Sequence, residues 1–165
     1  MNPSRRQLLR GNFSGISDVI RPPWALPDLE FSNRCTRCSD CIRICPEGII
    51  RSGSGGFPEV DFQQRGCTLC RDCATACTAR ALDPERDPPW RLRVEIRDTC
   101  LAQRRVLCRS CGDACDERAI RFALQVGGIA RPRIDGDRCT GCGFCVGVCP
   151  VQALKIEPDA TESTP

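Results

Sequence analysis

Four groups of closely spaced cysteines limit what this chain can fold into more than any other feature of its sequence. The first group, from Cys35 to Cys45, has the spacing C-x2-C-x2-C-x3-C and is followed by Pro46. Thiolates spaced in this way on a tight loop can bind the irons of one cubane, and the spacing is typical of [4Fe–4S] cluster ligands. The four groups use every cysteine of the chain. The candidate metal ligands are Cys35, Cys38, Cys41, Cys45, Cys67, Cys70, Cys73, Cys77, Cys100, Cys108, Cys111, Cys115, Cys139, Cys142, Cys145 and Cys149.

Each group is predicted to share clusters with a partner group. In bacterial proteins with two such clusters, the fourth cysteine of each group binds the cluster of the other group. The chain is therefore expected to hold four [4Fe–4S] clusters. The predicted ligand sets are Cys35, Cys38, Cys41 with Cys77; Cys67, Cys70, Cys73 with Cys45; Cys100, Cys108, Cys111 with Cys149; and Cys139, Cys142, Cys145 with Cys115.

An internal duplication indicates which groups belong together. From Cys38 onwards, group one maps onto group three at an offset of 70 residues, and group two maps onto group four at an offset of 72. We predict an α+β fold of two tandem bacterial-type 2[4Fe-4S] ferredoxin-like modules with an extended basic N-terminal arm. The predicted segments are the arm at 1–33, the first module with its linker at 34–89, the second module at 90–157 and a C-terminal tail at 158–165.

Two local features of the groups carry predictions of their own. The residues after each fourth cysteine are predicted to form a short helix. Pro46 and Pro150 suit the first position of such a helix, where the N–H that proline lacks would have no helical partner. Group three has seven residues between Cys100 and Cys108 in place of two. Cys100 is therefore the weakest of the sixteen ligand predictions.

Zinc sites and disulfides fit the pattern poorly. Zinc ribbons place two C-x2-C pairs far apart, without a third cysteine two residues on, and disulfide frameworks have no reason to repeat one spacing. Four groups in 165 residues also leave too little chain for an ordinary hydrophobic core. Folding and metal loading are therefore expected to be one event.

The charge and composition exclude several classes of function. The formal charge of +3 is no evidence for a nucleic-acid partner, because each oxidised cluster with its thiolates adds a charge of about −2. The chain has no histidine, no dinucleotide fingerprint and no phosphate-binding loop. Clusters with four cysteine ligands have no open iron position for a substrate. We predict an electron carrier without catalytic residues, not an enzyme.

The first 33 residues contain no cysteine and resemble an export signal only in part. Ser4-Arg5-Arg6 looks like a twin-arginine signal, but polar residues interrupt the apolar run of about 7 to 15 residues that must follow. A transmembrane helix needs about 18 consecutive apolar residues, and no part of the sequence approaches this length, so no transmembrane segment is predicted. We expect a cytoplasmic chain. The arm is either a solvated tail or a docking peptide. Its apolar anchors would be Leu8, Leu9, Phe13, Val19 and Trp24.

The loops of the groups differ in charge. Group one carries Arg34, Arg37 and Arg43, whereas residues 140–148 of group four carry no charge. Positive neighbours favour the reduced cluster, and apolar surroundings disfavour it. The sequence leaves two interpretations open: a gradient of reduction potentials, or burial of group four between the modules.

Several stretches beyond the cysteines are similar to the NapF family of ferredoxin-type accessory proteins of periplasmic nitrate reductase systems. They are Ser4-Arg5-Arg6, Arg21-Pro22-Pro23-Trp24, Cys35-Thr36-Arg37-Cys38, Gly55-Gly56-Phe57-Pro58, Asp98-Thr99-Cys100-Leu101-Ala102 and the run from Cys142-Gly143 to Cys149-Pro150-Val151. The resemblance implies a cytoplasmic protein with four clusters, which contacts the catalytic subunit of periplasmic nitrate reductase before export and assists its maturation. Two alternatives stay open: an electron-transfer subunit of a quinol dehydrogenase or other redox complex, and a storage or scaffold protein with structural clusters.

Overall fold

The computed structural model describes residues 19–125 and 128–158 as a mixture of short helices and short strands. The helices are α1 (Asp28–Arg34), α2 (Asp40–Ile44), α3 (Asp72–Thr75), α4 (Ser110–Asp113) and α5 (Phe144–Gly147), with a 3-10 turn at Ser54–Gly56. The strands are β1 (Ile50–Ser52), β2 (Pro58–Val60), β3 (Leu92–Ile96), β4 (Ile120–Ala123), β5 (Arg131–Ile134) and β6 (Leu154–Pro158). The α+β class is confirmed. Most of the predicted arm, including Arg5 and Arg6, lies outside the described residues.

No helix in the described ranges is long and apolar enough to cross a membrane.

The second module contains two antiparallel strand pairs. Its chain runs strand, helix, strand, strand, helix, strand, and β4 pairs with β5 while β3 pairs with β6. Val94, Ile120 and Leu154 form a small apolar core with the buried Cys145. The first and last strands of the module therefore lie side by side. In the sequence, group three lies between β3 and β4, and group four lies between β5 and β6.

The first module repeats this plan in reduced form. β1 pairs with β2, but the second strand pair is a single bridge between Ala25 and Leu82. In the second module, Ile96 lies opposite Leu154 in the equivalent register. The segment around Ala25 therefore replaces the missing first strand and belongs to the first module.

Trp24 is part of this module and is not available for docking. The side chain is 3 % exposed, and the guanidinium of Arg71 lies 5.9 Å from its ring. The Trp24 N–H donates to the Pro89 carbonyl oxygen at 2.5 Å, and the Trp24 carbonyl oxygen accepts the Asp83 N–H at 2.8 Å. The prediction that made Trp24 a docking anchor is wrong, because this residue closes the first module and holds both ends of the 83–89 linker.

The two modules meet at the loop of group four. The Cys67 N–H of the first module donates to the Cys142 carbonyl oxygen at 2.6 Å. The Trp90 indole N–H donates to the Thr140 carbonyl oxygen at 2.7 Å, and the Trp90 ring meets Phe62 edge to face with centroids 5.7 Å apart. We call this contact the module junction.

Glycines allow the close approach at the module junction. A Cβ atom on Gly143 would lie 2.1 Å from the Phe62 ring, and one on Gly147 would lie 2.8 Å from the Gln64 carbonyl oxygen. Side-chain atoms are not found at such distances, so both positions require glycine. The uncharged group four loop is therefore buried between the modules, and the gradient of reduction potentials stays an open interpretation.

Gly147→Ala is expected to lower the free energy of unfolding by about 1–3 kcal/mol, because the new methyl group must displace the backbone near Gln64. Gly136→Ala is the matched control, since a Cβ there meets nothing within 4 Å and neither glycine has a positive φ. Thermal unfolding of both loaded variants, followed by cluster absorbance under anaerobic conditions, measures the difference. Equal stability of the two variants would contradict the close approach of the modules.

Candidate metal centres

The sixteen cysteines lie around four separate cavities. Each cavity is lined by three cysteines of one group and the fourth cysteine of its partner group. Site I contains Cys35, Cys38, Cys41 and Cys77; site II contains Cys45, Cys67, Cys70 and Cys73; site III contains Cys100, Cys108, Cys111 and Cys149; site IV contains Cys115, Cys139, Cys142 and Cys145. These are the sets that the exchange of fourth cysteines predicts, and Cys100 is among them. That these thiols bind iron stays a prediction.

A tight turn, and not a helix, follows each fourth cysteine. The N–H three residues later donates to the carbonyl oxygen of that cysteine at 3.0–3.1 Å in all four groups. The predicted helices are wrong because the donor residue has a positive φ, which ends the helical path after one turn. These residues are Gly48, Arg80, Arg118 and Gln152. Pro46 and Pro150 instead occupy the second position of the turn, which their fixed φ suits. The observed helices α2 to α5 precede the fourth cysteines.

The turns return backbone N–H groups to the sulfur atoms. The donor and acceptor pairs are Ala119 to Cys115 Sγ at 3.3 Å, Ala153 to Cys149 Sγ at 3.2 Å and, elsewhere in group two, Leu69 to Cys67 Sγ at 3.3 Å. Hydrogen bonds to sulfur favour the thiolate over the thiol and tune the potential of a cluster. These donors do not follow from the spacing of the cysteines. The available signal was the repeated alanine four residues after three of the fourth cysteines.

Burial raises the pKa of the innermost thiols. The pKa rises to about 12 for Cys73 of site II and for Cys145 of site IV, because the protein desolvates them and neighbouring thiols of the same site add repulsion. The same causes raise the pKa of Cys41 and Cys111 to about 11. Ligand thiols must lose their protons to bind metal, and a cationic metal core offsets the cost of burying the resulting charge.

The arrangement of thiols fits a cluster better than a single metal ion. Within residues 19–125 and 128–158, no three cysteine or carboxylate side chains converge closely enough to hold one ion. The thiols instead surround spaces of similar size, about 320 to 390 Å³ each with the solvent at their mouths included. A zinc site would bring four sulfurs to about 2.3 Å from one point. The donor set therefore fits a [4Fe–4S] cubane at each site.

The sites follow one another in the order I, II, IV, III. Sites I and II are neighbours because α2 carries Cys41 of site I and leads directly to Cys45 of site II. Helix α5 links sites IV and III in the same way. Sites II and IV adjoin at the module junction through the hydrogen bond from Cys67 to Cys142. Sites I and III are therefore the outer members of the order.

Group three differs from the others in its backbone. In groups one, two and four, the residues on both sides of the second cysteine have positive φ: Arg37 and Ser39, Leu69 and Arg71, Gly141 and Gly143. In group three, Arg109 after the second cysteine has a φ of −134°. Group three instead has a longer segment before its second cysteine, residues 101–107, which we call the site III loop. The buried Ala102 fixes the loop, and a hydrogen bond of 2.9 Å from Val106 N–H to the Leu101 carbonyl oxygen closes it. The loop thereby brings Cys100 to site III in spite of the long spacing.

Comparison with known proteins agrees with this architecture. The family described as "4Fe-4S dicluster domain" matches residues 34–81 and again residues 104–153, so the two modules are tandem copies of one domain. The chain is 40 % identical over 157 residues to "Ferredoxin-type protein NapF" of Escherichia coli (strain K12), covering 95 % of this chain and 96 % of the relative. It is 44 % identical over 165 residues to the protein of the same name from Haemophilus influenzae, covering 94 % of each chain. It is also 33 % identical over 162 residues to "Ferredoxin-type protein NapG" of Escherichia coli (strain K12), covering 84 % of this chain and 70 % of the relative.

Proposed function

Because the chain belongs to the NapF family of ferredoxin-type proteins, we propose that it is an iron–sulfur electron carrier that binds the cytoplasmic precursor of the periplasmic nitrate reductase catalytic subunit and assists its maturation before export. The observation that carries the proposal is the grouping of all sixteen cysteines into four closed sets of four thiols. Such sets suit electron transfer and leave no iron position for a substrate.

The residues of the chain have distinct roles in this proposal. Each [4Fe–4S] group, when bound, supplies one-electron chemistry. The sixteen cysteines hold the four groups, the N–H donors of the turns stabilise ligand sulfurs, and apolar residues such as Leu154 and Ile50 keep water away from the inner sides of the sites. The order I, II, IV, III supports the role as a carrier, because it extends through both modules and across the junction between them.

Cells that lack this chain are expected to have several-fold lower periplasmic nitrate reductase activity during iron-limited growth, because the catalytic subunit is then exported incompletely matured. Wild-type chain is expected to restore the activity and to co-purify with the catalytic subunit from the cytoplasm. Replacing Arg5 and Arg6 is expected to weaken co-purification with unchanged iron content, since no ligand lies there. Full activity in the deletion strain, together with no co-purification, would make the accessory role wrong.

One alternative is an electron-transfer subunit of a quinol dehydrogenase or other redox complex, which four closed sets of thiols would serve equally well. The two roles differ in where the chain works, because the maturation role requires the cytoplasm. The chain fused to a reporter that is active only after twin-arginine export is expected to give no signal. A strong signal would favour the alternative and contradict the cytoplasmic role.

A further inference from the structure

We propose that the exposed end of the site III loop, residues 104–107, is the surface on which a redox partner with an acidic and partly apolar face docks. The inference rests on the proposed function and identifies the surface that the partner of that function would use. It starts from a loop that exceeds what metal ligation requires.

The loop presents two cationic and two apolar side chains in succession. Arg104, Arg105, Val106 and Leu107 are all exposed, with Leu107 at 81 % and Val106 at 49 %. The Arg104 Nε–H donates to the Asp98 carbonyl oxygen at 3.1 Å, but in the described part of the chain neither guanidinium has a carboxylate partner. Among residues 19–125 and 128–158, the four side chains are therefore exposed and the two guanidiniums form no ion pair.

The local backbone holds this surface in a defined shape. Arg104 N–H donates to the Cys100 carbonyl oxygen at 3.1 Å, and the 2 % exposed Ala102 anchors the loop in the module. A surface that is already ordered loses less conformational entropy when it binds a partner. Three of the four groups hold their first two cysteines with only two residues between them. The additional residues of group three are therefore not needed for ligation as such.

The position of the loop connects this surface to the sites. Leu107 immediately precedes Cys108 of site III, and site III is an outer member of the order I, II, IV, III. Arg109 extends the positive charge on the other side of Cys108, where its guanidinium lies 5.1 Å from the Phe122 ring. A partner that covers residues 104–107 therefore lies against one end of the series of sites.

The chemistry of the loop specifies the opposing surface. Exposed guanidiniums are best met by carboxylates of a partner, and the adjacent valine and leucine by an apolar patch at the centre of the contact. Charges at the edge of such a contact chiefly accelerate association, so binding is expected to weaken with salt. A membrane surface fits less well, because the loop offers two apolar side chains and no amphipathic helix.

The test uses the full chain with its clusters reconstituted anaerobically, and the purified precursor of the nitrate reductase catalytic subunit as the probe. Reversing both charges in R104E/R105E is expected to weaken binding about tenfold at low salt and to remove most of the salt dependence. R86E/R121E is the matched control, since it makes the same change of charge at exposed arginines of the linker and of β4, outside the cysteine turns. Its affinity is expected to stay within about twofold of wild type.

An apolar substitution tests the second half of the surface. Leu107→Ser is expected to raise the dissociation rate several-fold, whereas Leu29→Ser, at a leucine that is 78 % exposed in α1, is expected to leave it unchanged. Iron content is measured in every preparation and is expected to equal that of wild type, because none of these residues is a thiol ligand.

Each outcome decides the proposal. Specific weakening by R104E/R105E and Leu107→Ser supports it. If wild type binds and these variants bind equally well, or if R86E/R121E weakens binding as much, the loop is not the docking surface and the proposed function stands without it. If wild type does not bind the precursor at all, both proposals fail. Loop-dependent binding to anionic phospholipid vesicles, without binding to the precursor, would replace the protein partner by a membrane.

Discussion

Removal of iron by a strong chelator under anaerobic conditions is expected to abolish the cooperative unfolding transition and leave most of the chain disordered. The described helices have four to seven residues, which is too short for stability in isolation. The described sheets have two strands each, and an isolated two-stranded sheet is at best marginally stable. The elements are instead attached to the cysteines, so the metal groups contribute most of the folding free energy.

Far-ultraviolet circular dichroism and amide proton dispersion measure this loss. Adding iron and sulfide back to the chelated protein is the control, and it is expected to restore both signals together with the absorbance of the clusters. A chelated protein that keeps a cooperative thermal transition close to that of the loaded protein would show that the apolar clusters around Phe31 and Ile120 suffice for folding.

Cys67→Ala is expected to remove about half of the bound iron, whereas Cys100→Ala is expected to remove about a quarter. Cys67 is a buried thiol of the inner site II, and its own backbone N–H donates to the Cys142 carbonyl oxygen of site IV. Loss of the group at site II therefore removes support from the module junction and from the adjoining site. Cys100 belongs to the outer site III and lies on a loop that no other site contacts among the residues lining the four cavities.

Iron and labile sulfide per chain, with electron paramagnetic resonance of the reduced variants, measure the difference between the two substitutions. Cys100→Ala also tests the weakest of the ligand predictions directly. Unchanged iron content in Cys100→Ala would remove this residue from the ligand set of site III. Equal losses in the two variants would contradict the coupling of sites II and IV across the junction.

The duplication in the sequence predicts the architecture because the spacing of cysteines fixes which thiols can meet. The grouping of Cys45 with Cys67, Cys70 and Cys73, and of its counterparts in the other sites, follows from the repeated spacing together with the exchange of fourth cysteines that is typical of bacterial two-cluster proteins. The family resemblance was likewise readable from short stretches outside the cysteines. Spacing is informative here because few loop conformations allow three thiols two residues apart to face one cavity.

Backbone conformation and long-range packing are harder to predict from the sequence than the grouping of the cysteines. The sequence does not separate a turn from a helix after each fourth cysteine, because proline suits both structures, and only the positive φ at residues such as Gln152 distinguishes them. The sequence places Trp24 in the arm, because this residue precedes the first cysteine by eleven residues. Its burial depends on the bridge between Ala25 and Leu82, a contact between distant residues that no local pattern predicts.

The glycines of the module junction make the two cysteine groups of the second module unequal in their tolerance to change. Gly143 and Gly147 cannot accept even a methyl group without displacing Phe62 or the backbone at Gln64. In the site III loop, by contrast, residues 104–107 are exposed to solvent. This loop has seven residues between its first two cysteines, whereas the other groups have two. Insertions introduced by engineering are therefore better tolerated by the fold in the site III loop than in the loop of group four. Replacing the loop of group four by the loop of group three is expected to disrupt the module junction, although the two loops surround equivalent sets of thiols.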